Sequence, residues 1–316
     1  MAEADGGNAA RLGLGLAAVG RPAYITTGRE SELGDAGERT PDRMNALAHR
    51  LLDRAWDAGV RYFDVARSYG DAEQFLGSWL AQHPSRRREL VVGSKWGYEY
   101  VGGWRMDAAQ HERKEHSPGM LSRQWPETVR ALGGRPDVYY VHSVTPDSPA
   151  LIDAALLDRL REFADSGIRV GLSTSGRDQA SVIHRALELA DTPFTAVQST
   201  WNLMEQSAGP ALQRARASGW LVVVKEALAN GRLALAPAGS DVAVQAAQAG
   251  IAPQDLALGA ALARDWADYV LSGAASEAQL AENLAARPIV LEQAEIARFA
   301  VPTASYWSDR AALVWS

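Results

Sequence analysis

The sequence predicts a single-domain α/β protein with the (β/α)8 TIM-barrel fold. Short apolar segments that suit buried strands alternate with longer segments in which apolar residues recur at helical spacing. Three helix-to-strand junctions carry a glycine, Gly59, Gly167 and Gly219, where a left-handed residue would end the helix. Eight strand segments of this kind occur, and eight parallel strand–helix units close into a barrel.

The predicted strands are rich in valine, leucine and aromatic residues, as strands buried on both faces require. In chain order they span residues 12–19, 61–65, 89–95, 137–142, 168–173, 194–199, 220–225 and 269–272. Helix starts are marked by a hydroxyl residue that can cap the first turn, followed by a proline that lacks the N–H left unbonded there. These pairs are Thr40-Pro41, Ser117-Pro118 and Ser148-Pro149.

Three stretches interrupt the alternation, at about residues 20–39, at 96–116 and in a C-terminal tail at 291–316. Connections longer than about 12 residues are usually functional or disordered. The middle stretch follows a predicted strand and carries Trp96, Tyr98 and Trp104. We expect these rings to form an aromatic wall around a substrate; the alternative is that they pack the rim of the barrel. The whole chain, residues 1–316, then forms one domain.

Composition excludes several classes of function. The chain has no cysteine, which rules out disulfides, thiolate metal sites and cysteine nucleophiles. Its net charge of −6 gives no basic surface of the kind that nucleic acids require. The N-terminus has no basic start with an apolar core, and no apolar run approaches the length of a membrane span. We therefore expect a soluble cytoplasmic protein; nothing in the sequence indicates an oligomeric state.

Four ionisable side chains stand at or just after the ends of successive predicted strands: Asp64, Tyr69, Lys95 and His142. In a parallel barrel the carboxyl ends of the strands converge on one face, where active sites form. Taken singly, each residue has a structural alternative. Asp64 and Lys95 could form an ordinary buried ion pair, Tyr69 could be a packing residue, and His142 could be a core histidine.

Six motifs resemble those of the aldo-keto reductase family, in order and over most of the chain. They are FDVARSYGDAEQFLG, VVGSKWG, YYVHS, VGLSTSG, VQSTWNL and LSGAASEAQLAENL. The resemblance implies a (β/α)8 barrel that binds a nicotinamide dinucleotide and interconverts a small carbonyl compound and its alcohol by hydride transfer. The family's catalytic Asp, Tyr, Lys and His match Asp64, Tyr69, Lys95 and His142.

This set of residues suits carbonyl reduction. Hydride addition leaves an alkoxide that must be protonated as it forms, and Tyr69 is the expected proton donor. A nearby ammonium lowers the pKa of a phenol, so we expect Lys95 to lower that of Tyr69 and Asp64 to balance the lysine charge. His142 would hydrogen-bond and polarise the carbonyl oxygen. The dinucleotide supplies the hydride.

The resemblance also implies a set of cofactor-binding positions. They are Ser173, Thr174, Gln198, Lys225, Leu228, Gly231, Gly273, Ser276, Gln279 and Asn283. Two depart from the family pattern, because Thr174 replaces an asparagine and Lys225 replaces the aromatic that stacks on the nicotinamide ring. A lysine cannot stack, and its charge would oppose an oxidised nicotinamide. We hypothesise that the site prefers the reduced cofactor, or that Trp201 or another ring replaces the stacking ring.

NADP (NADPH) is the cofactor that the resemblance implies, with NAD as the alternative. The segment LSGAASEAQLAENL lacks the basic residues that commonly bind a 2′-phosphate. Arg232 or Arg264 could supply a cation from elsewhere in the chain. The substrate is expected to be an aldehyde or ketone, aromatic or sugar-derived, held by aromatic residues. The candidate substrate-binding residues are Trp96, Tyr98, Trp104 and Trp201.

Other chemistries receive less support from the sequence. His111, Glu112 and His116 resemble a zinc motif only loosely, since a spacing of five residues puts the histidines on different helix faces, and we expect no metal site. Two alternatives stay open: a barrel enzyme that forms a Schiff base through Lys95 or Lys225, as an aldolase does, and a non-catalytic nicotinamide-binding module.

Overall fold

Eight parallel strands close into a barrel in a computed structural model that describes residues 9–25 and 30–315. Each strand pairs with its neighbours in the sequence of barrel strands, and the last pairs with the first. The strands are β1 (Leu12–Gly15), β2 (Tyr62–Asp64), β3 (Val91–Trp96), β4 (Val138–Val144), β5 (Arg169–Thr174), β6 (Ala196–Thr200), β7 (Leu221–Lys225) and β8 (Tyr269–Ser272). The predicted (β/α)8 fold is confirmed.

Helices connect the strands and cover the barrel. They are α1 (Pro41–Asp57), α2 (Ala72–Gln82), α3 (Pro118–Leu132), α4 (Ala154–Asp165), α5 (Gln179–Glu188), α6 (Gly209–Ala217), α7 (Asp241–Gln248), α8 (Pro253–Leu262), α9 (Glu277–Ala285), α10 (Gln293–Phe299) and α11 (Thr303–Ala311). Shorter helical turns span Glu30–Leu33, Ala36–Glu38, Arg86–Glu89, Pro149–Leu151 and Ala229–Gly231. No helix among the described residues is long and apolar enough to cross a bilayer.

The predicted helix starts and helix ends are found in the structure, with one exception. Gly59, Gly167 and Gly219 all have positive φ, as expected for residues that end helices before strands. The hydroxyls of Thr40 and Ser117 accept hydrogen bonds from backbone N–H groups in the first turns of α1 and α3.

The exception is the helix start predicted at Ser148-Pro149, which opens a single 3-10 turn. Helix α4 begins five residues later, where the Asp153 carboxylate accepts a hydrogen bond of 2.8 Å from the Leu156 N–H. Two capping residues follow each other closely here, and the second starts the long helix.

One strand prediction was too long. Strand β1 ends at Gly15, whereas the sequence predicted a strand to residue 19. The Leu16 N–H still bonds the Asp64 carbonyl at 2.9 Å, but Gly20 then bonds back to the Leu16 carbonyl at 2.8 Å, so the chain turns away from the barrel.

The three long stretches contain structure that the sequence did not indicate. Within 96–116, Tyr98–Tyr100 pairs with Glu112–Lys114 as an antiparallel hairpin. The predicted tail after residue 291 forms α10 and α11, which return to the barrel mouth. The first stretch, 20–39, is described except for residues 26–29; residues 1–8 and 316 also lie outside the described part.

Tyrosines fill the barrel interior beneath the site. The Tyr62 and Tyr140 hydroxyls hydrogen-bond at 2.9 Å, and the Tyr62 ring stacks on Tyr269 at 4.6 Å. The glycines of neighbouring strands make room for them: a Cβ at Gly93 would lie 2.5 Å from the Tyr62 oxygen, and one at Gly171 would lie 2.5 Å from the Tyr140 ring. Because side chains two residues apart share a strand face, Asp64 and His142 point into the barrel above this layer.

Candidate active site

A cavity of about 620 Å³ opens at the carboxyl ends of the barrel strands. Its lining brings together three of the four ionisable residues singled out in the sequence, namely Asp64, Tyr69 and His142, with Gln198 and Lys225. Lys95 lies just beneath, fully buried. This volume falls in the range of small-molecule and cofactor sites.

Asp64 and Lys95 form a buried ion pair at the floor of the cavity. The Lys95 ammonium donates to the Asp64 carboxylate and, at 3.1 Å, to the Val65 carbonyl. The other carboxylate oxygen of Asp64 accepts from the Gln198 amide at 2.7 Å. Both charges are thus compensated and hydrogen-bonded, the condition under which a buried pair is tolerated.

Tyr69 lies directly over this pair, with the Lys95 ammonium 4.7 Å from the centre of its ring. Burial raises the pKa of Tyr69 well above its ordinary value, and the charges of Asp64 and Glu112 raise it further. The sequence analysis expected Lys95 to lower this pKa, whereas burial and the nearby carboxylates raise it overall. The phenol therefore keeps its proton at neutral pH and remains available as a donor.

His142 faces Tyr69 across the cavity, with 5.5 Å between the ring centroids and the planes nearly perpendicular. Burial lowers the pKa of His142 well below its ordinary value, and the cations Lys95, Lys225 and Arg21 lower it further. The imidazole is therefore neutral at pH 7 and can donate one N–H to a neutral acceptor. The His116 ring bonds the His142 carbonyl at 2.8 Å and holds this strand end in place.

Seven of the ten predicted cofactor positions line the cavity. They are Gln198, Lys225, Leu228, Gly231, Gly273, Gln279 and Asn283. The Gln198 side-chain oxygen is buried and has no hydrogen-bond partner in the protein, while its amide nitrogen is committed to Asp64. An unpaired buried acceptor at a cavity wall fits a ligand that carries an N–H donor, such as the carboxamide of a nicotinamide.

The other three predicted cofactor positions are engaged within the protein. The Ser173 hydroxyl accepts from the Ser143 N–H at 2.8 Å, and the Thr174 hydroxyl lies 2.7 Å from the Ser199 hydroxyl. The Ser276 hydroxyl caps α9 by accepting from the Gln279 N–H. Ser175, one residue beyond Thr174, lines the cavity instead.

The end of the cavity next to α9 offers hydrogen-bonding groups but no cation. Gln254, Gln279, Glu282 and Asn283 line it, and no lysine or arginine of the described residues does so at this end. The two arginines considered as substitutes lie elsewhere. The Arg232 guanidinium stands 4.4 Å from the ring centre of Tyr306, and Arg264 packs over Trp201 at 5.4 Å.

A cluster of three charges forms one wall. Glu226, at φ +56°, accepts three contacts of 2.5–3.0 Å from the Arg310 guanidinium of α11. The Lys225 ammonium lies farther from the same carboxylate, at 3.6 Å. Burial opposes ionisation of Glu226, yet Arg310 and Lys225 outweigh it and lower the pKa of Glu226 to about 2. Burial lowers the pKa of Lys225 to about 8.

Of the four predicted substrate-binding aromatics, Tyr98 lines the cavity. The other three pack elsewhere. Trp96 packs against His116, and the Trp104 indole N–H bonds the Arg39 carbonyl at 2.7 Å, in line with the packing alternative for this loop. Trp201 packs against Trp266. Trp201 therefore does not replace a stacking ring in the cavity.

Other residues, which sequence reasoning missed, complete the outer wall. They are Arg21, Tyr24, Glu112, Glu226, Arg310 and Trp315. Arg21 pairs with Glu112 at 2.8 Å and lies 4.7 Å from the Trp315 ring centre. Arg21 follows the first predicted strand, and Glu226 directly follows Lys225. Both positions lie at strand ends, which could have identified these residues as candidates for the cavity wall. Arg310 and Trp315 come from the C-terminal segment, and no motif marked them.

The fold and the site together define a (β/α)8 barrel whose ionisable groups meet at the carboxyl ends of parallel strands. Comparison with known proteins identifies which kind. The family model described as "Aldo/keto reductase family" matches residues 31–300. The chain belongs to the Aldo/keto reductase family, a family of NAD(P)-dependent oxidoreductases, as the resemblance implied.

Individual relatives are distant. The chain is 28% identical to a D-threo-aldose 1-dehydrogenase of a Pseudomonas species over 59% of its own length and 60% of the relative's. It is 26% identical to a pyridoxal 4-dehydrogenase of Microbacterium luteolum, over 71% and 73% of the two chains. The chain thus matches less than two thirds of the first relative's length.

Solved structures support the fold alone. The glycerol dehydrogenase of Gluconobacter oxydans superposes with a TM-score of 0.66 at 19% identity, covering 92% of this chain and 90% of that one. The holo form of an aldo-keto reductase from Bacillus halodurans gives a TM-score of 0.65 at 19% identity, with 95% and 91% covered.

Proposed function

We propose that the protein is an NAD(P)H-dependent oxidoreductase that interconverts an aldehyde or ketone and its alcohol by hydride transfer, with Tyr69 as the proton donor. One observation carries the proposal: the rings of Tyr69 and His142 face each other at 5.5 Å in one cavity, directly above the buried pair of Asp64 and Lys95. A carbonyl oxygen within reach of the Tyr69 hydroxyl and a His142 ring nitrogen can accept a hydrogen bond from each.

Each residue has a distinct task in the reaction. Neutral His142 donates a hydrogen bond to the carbonyl oxygen and polarises it. A bound dinucleotide would supply the hydride that reduces the carbonyl carbon. The oxygen then takes the phenolic proton of Tyr69, because an alkoxide is a far stronger base than a phenolate. The Lys95 ammonium, 4.7 Å from the ring centre, stabilises the phenolate until solvent returns the proton.

The test is a panel of aldehydes and ketones assayed with the wild-type protein and with Tyr69→Phe. Phenylalanine keeps the ring over Lys95 and removes only the proton. We expect kcat to fall by about 10²–10⁴-fold, while dinucleotide binding, measured by tryptophan fluorescence, stays within a few-fold of wild type. Turnover that survives the substitution would refute the role of Tyr69.

The outer wall supports a sugar-derived carbonyl compound as substrate. Tyr24, Tyr98 and Trp315 present aromatic faces, and the paired charges of Arg21 and Glu112 offer donors and acceptors with no net charge. A neutral polyol can use both kinds of group. One relative is named as an aldose dehydrogenase, which agrees with this choice. An aromatic aldehyde is the alternative, and the panel separates the two by kcat/KM.

NADP(H) is the dinucleotide that family membership favours. A specific observation favours NAD(H) as the second candidate: Glu282 lines the α9 end of the cavity, and no lysine or arginine of the described residues does so there. A 2′-phosphate would meet no cation at that end. Separate fluorescence titrations with NADPH and NADH decide between them, because tenfold tighter binding of one identifies the cofactor.

A Schiff-base mechanism keeps one supporting observation. Lys225 lines the cavity with a pKa lowered to about 8, so an appreciable fraction of its amine is unprotonated near neutral pH. Lys95 is held by Asp64 beneath the surface and is the poorer nucleophile. Borohydride reduction in the presence of a carbonyl substrate would trap a covalent adduct only for this mechanism.

A non-catalytic nicotinamide-binding module would bind cofactor but turn over no carbonyl in the panel.

A further inference from the structure

Charged side chains of both signs lie around the reacting end of the cavity. The cations Arg21, Lys95, Lys225 and Arg310 face the carboxylates Asp64, Glu112 and Glu226. His142 adds no charge, because burial and the nearby cations keep it neutral. Because Glu32 and Glu282 also line the cavity, the compensation of each cation is judged from the distances to its own partners.

Lys225 is the cation with the weakest compensation. Lys95 donates directly to Asp64, and Arg21 lies 2.8 Å from Glu112. The Arg310 guanidinium binds the Glu226 carboxylate through three contacts of 3.0 Å or less, whereas the Lys225 ammonium lies 3.6 Å from that carboxylate. The lysine side chain is 15% exposed and lines the cavity. Its weakly compensated charge thus faces the ligand space.

A nicotinamide ring in this protein would come close to that charge. Hydride transfer requires the reacting carbon of the ring to lie within contact distance of the substrate carbonyl carbon, whose oxygen is held by Tyr69 and His142. The free acceptor on Gln198 lies in the wall of the same region. The ring is neutral when reduced and carries a unit positive charge when oxidised.

We propose that Lys225 selects the redox state of the cofactor: its ammonium weakens binding of the oxidised dinucleotide and leaves binding of the reduced form nearly unchanged. The inference rests on the proposed function. The oxidised cofactor formed by carbonyl reduction would then dissociate more readily than the reduced cofactor. Lys225 acts on the cofactor through space and takes no part in proton transfer.

The test compares dissociation constants for the oxidised and reduced forms of the preferred dinucleotide, followed by quenching of tryptophan fluorescence at pH 7. For the wild type we expect the oxidised form to bind at least about tenfold more weakly, the ratio produced by a repulsion of about 1.4 kcal/mol. In Lys225→Met, which keeps the length of the side chain without its charge, we expect the ratio to fall to about threefold or less. Lys225→Arg retains the charge and should retain the ratio.

The outcomes separate the two proposals. Equal binding of both redox forms by the wild type overturns the role of Lys225 and leaves the oxidoreductase standing, and this result needs no variant to fold. An unchanged ratio in Lys225→Met, with a normal circular dichroism spectrum, also overturns it. Failure of the wild type to bind either form would refute the proposed function itself. A merely structural role for Lys225 would weaken both forms in parallel and leave their ratio alone.

Discussion

Breaking the buried pair beneath Tyr69 should destabilise the protein far more than removing the pair altogether. In Asp64→Asn the Lys95 ammonium keeps its hydrogen bond to the Val65 carbonyl but loses its counter-charge. Removing one partner of a buried ion pair costs about 3–5 kcal/mol, because an uncompensated charge stays out of water. Both side chains are nearly inaccessible to solvent, at 0% and 3% exposure, so we expect a loss in this range.

The matched control is the double variant Asp64→Asn/Lys95→Met, which removes both charges and keeps the volume. Replacing a buried pair by uncharged groups is often close to neutral. We therefore expect the double variant to recover at least about 2 kcal/mol relative to Asp64→Asn, a coupling typical of residues in direct contact. Urea denaturation followed by far-ultraviolet circular dichroism measures the wild type, Asp64→Asn, Lys95→Met and the double variant. All four proteins must give the same dependence of unfolding free energy on urea concentration.

Two results would refute this reasoning. If Asp64→Asn unfolds at the same urea concentration as the wild type, water or another group already neutralises Lys95. If the double variant is less stable than Asp64→Asn by as much as Lys95→Met alone destabilises the wild type, Asp64 and Lys95 do not interact.

Three further predictions address other parts of the molecule. Because Lys225 has a pKa of about 8, raising the pH from 6.5 to 9.5 should neutralise its side chain and strengthen binding of the oxidised dinucleotide, while binding of the reduced form changes little. Fluorescence titrations across this pH range test the prediction, and an affinity for the oxidised form that does not change with pH would contradict it. Arg310→Met removes a cation that lowers the pKa of Lys225, so the midpoint of that pH profile should move upward, and a downward shift would contradict the charge cluster. Gly171→Ala puts a methyl group 2.5 Å from the Tyr140 ring and should cost about 1–3 kcal/mol of unfolding free energy, whereas the control Gly119→Ala meets nothing nearer than 3.7 Å; equal stability of the two variants would contradict the packing.

The strand ends could be predicted because local sequence determines them. A run such as RYFDV has one way to bury itself in a parallel barrel, and alternation then fixes that Asp64 points inward with Tyr62. Gln198 follows from the same rule, since its side chain reaches Asp64 across the barrel. These positions depend on contacts between neighbouring strands, whose order in the barrel follows the order of the chain.

The outer wall could not be predicted in this way. Arg310 reaches Glu226 because α11 folds back over the barrel mouth, a contact between residues 84 positions apart. Trp315 stacks on His111 of the hairpin segment with 4.3 Å between the ring centroids, and the pattern of apolar residues in neither segment predicts this contact. Trp96 and Trp104 stay out of the cavity for a related reason, because Trp96 at the end of β3 packs against His116 and the Trp104 indole bonds the Arg39 carbonyl. Neither contact is contained in the spacing of the sequence.

The central claim is hydride transfer from a nicotinamide dinucleotide to a carbonyl carbon in the cavity above Asp64 and Lys95. Its most direct test is a single-turnover reaction of the protein with reduced cofactor deuterated on the transferring face of the nicotinamide and the best carbonyl substrate, with mass spectrometry of the alcohol. We predict one deuterium on the former carbonyl carbon, and none when the cofactor is unlabelled and the solvent is D2O. Deuterium taken up at that carbon from solvent, or an alcohol without deuterium from labelled cofactor, would contradict the account.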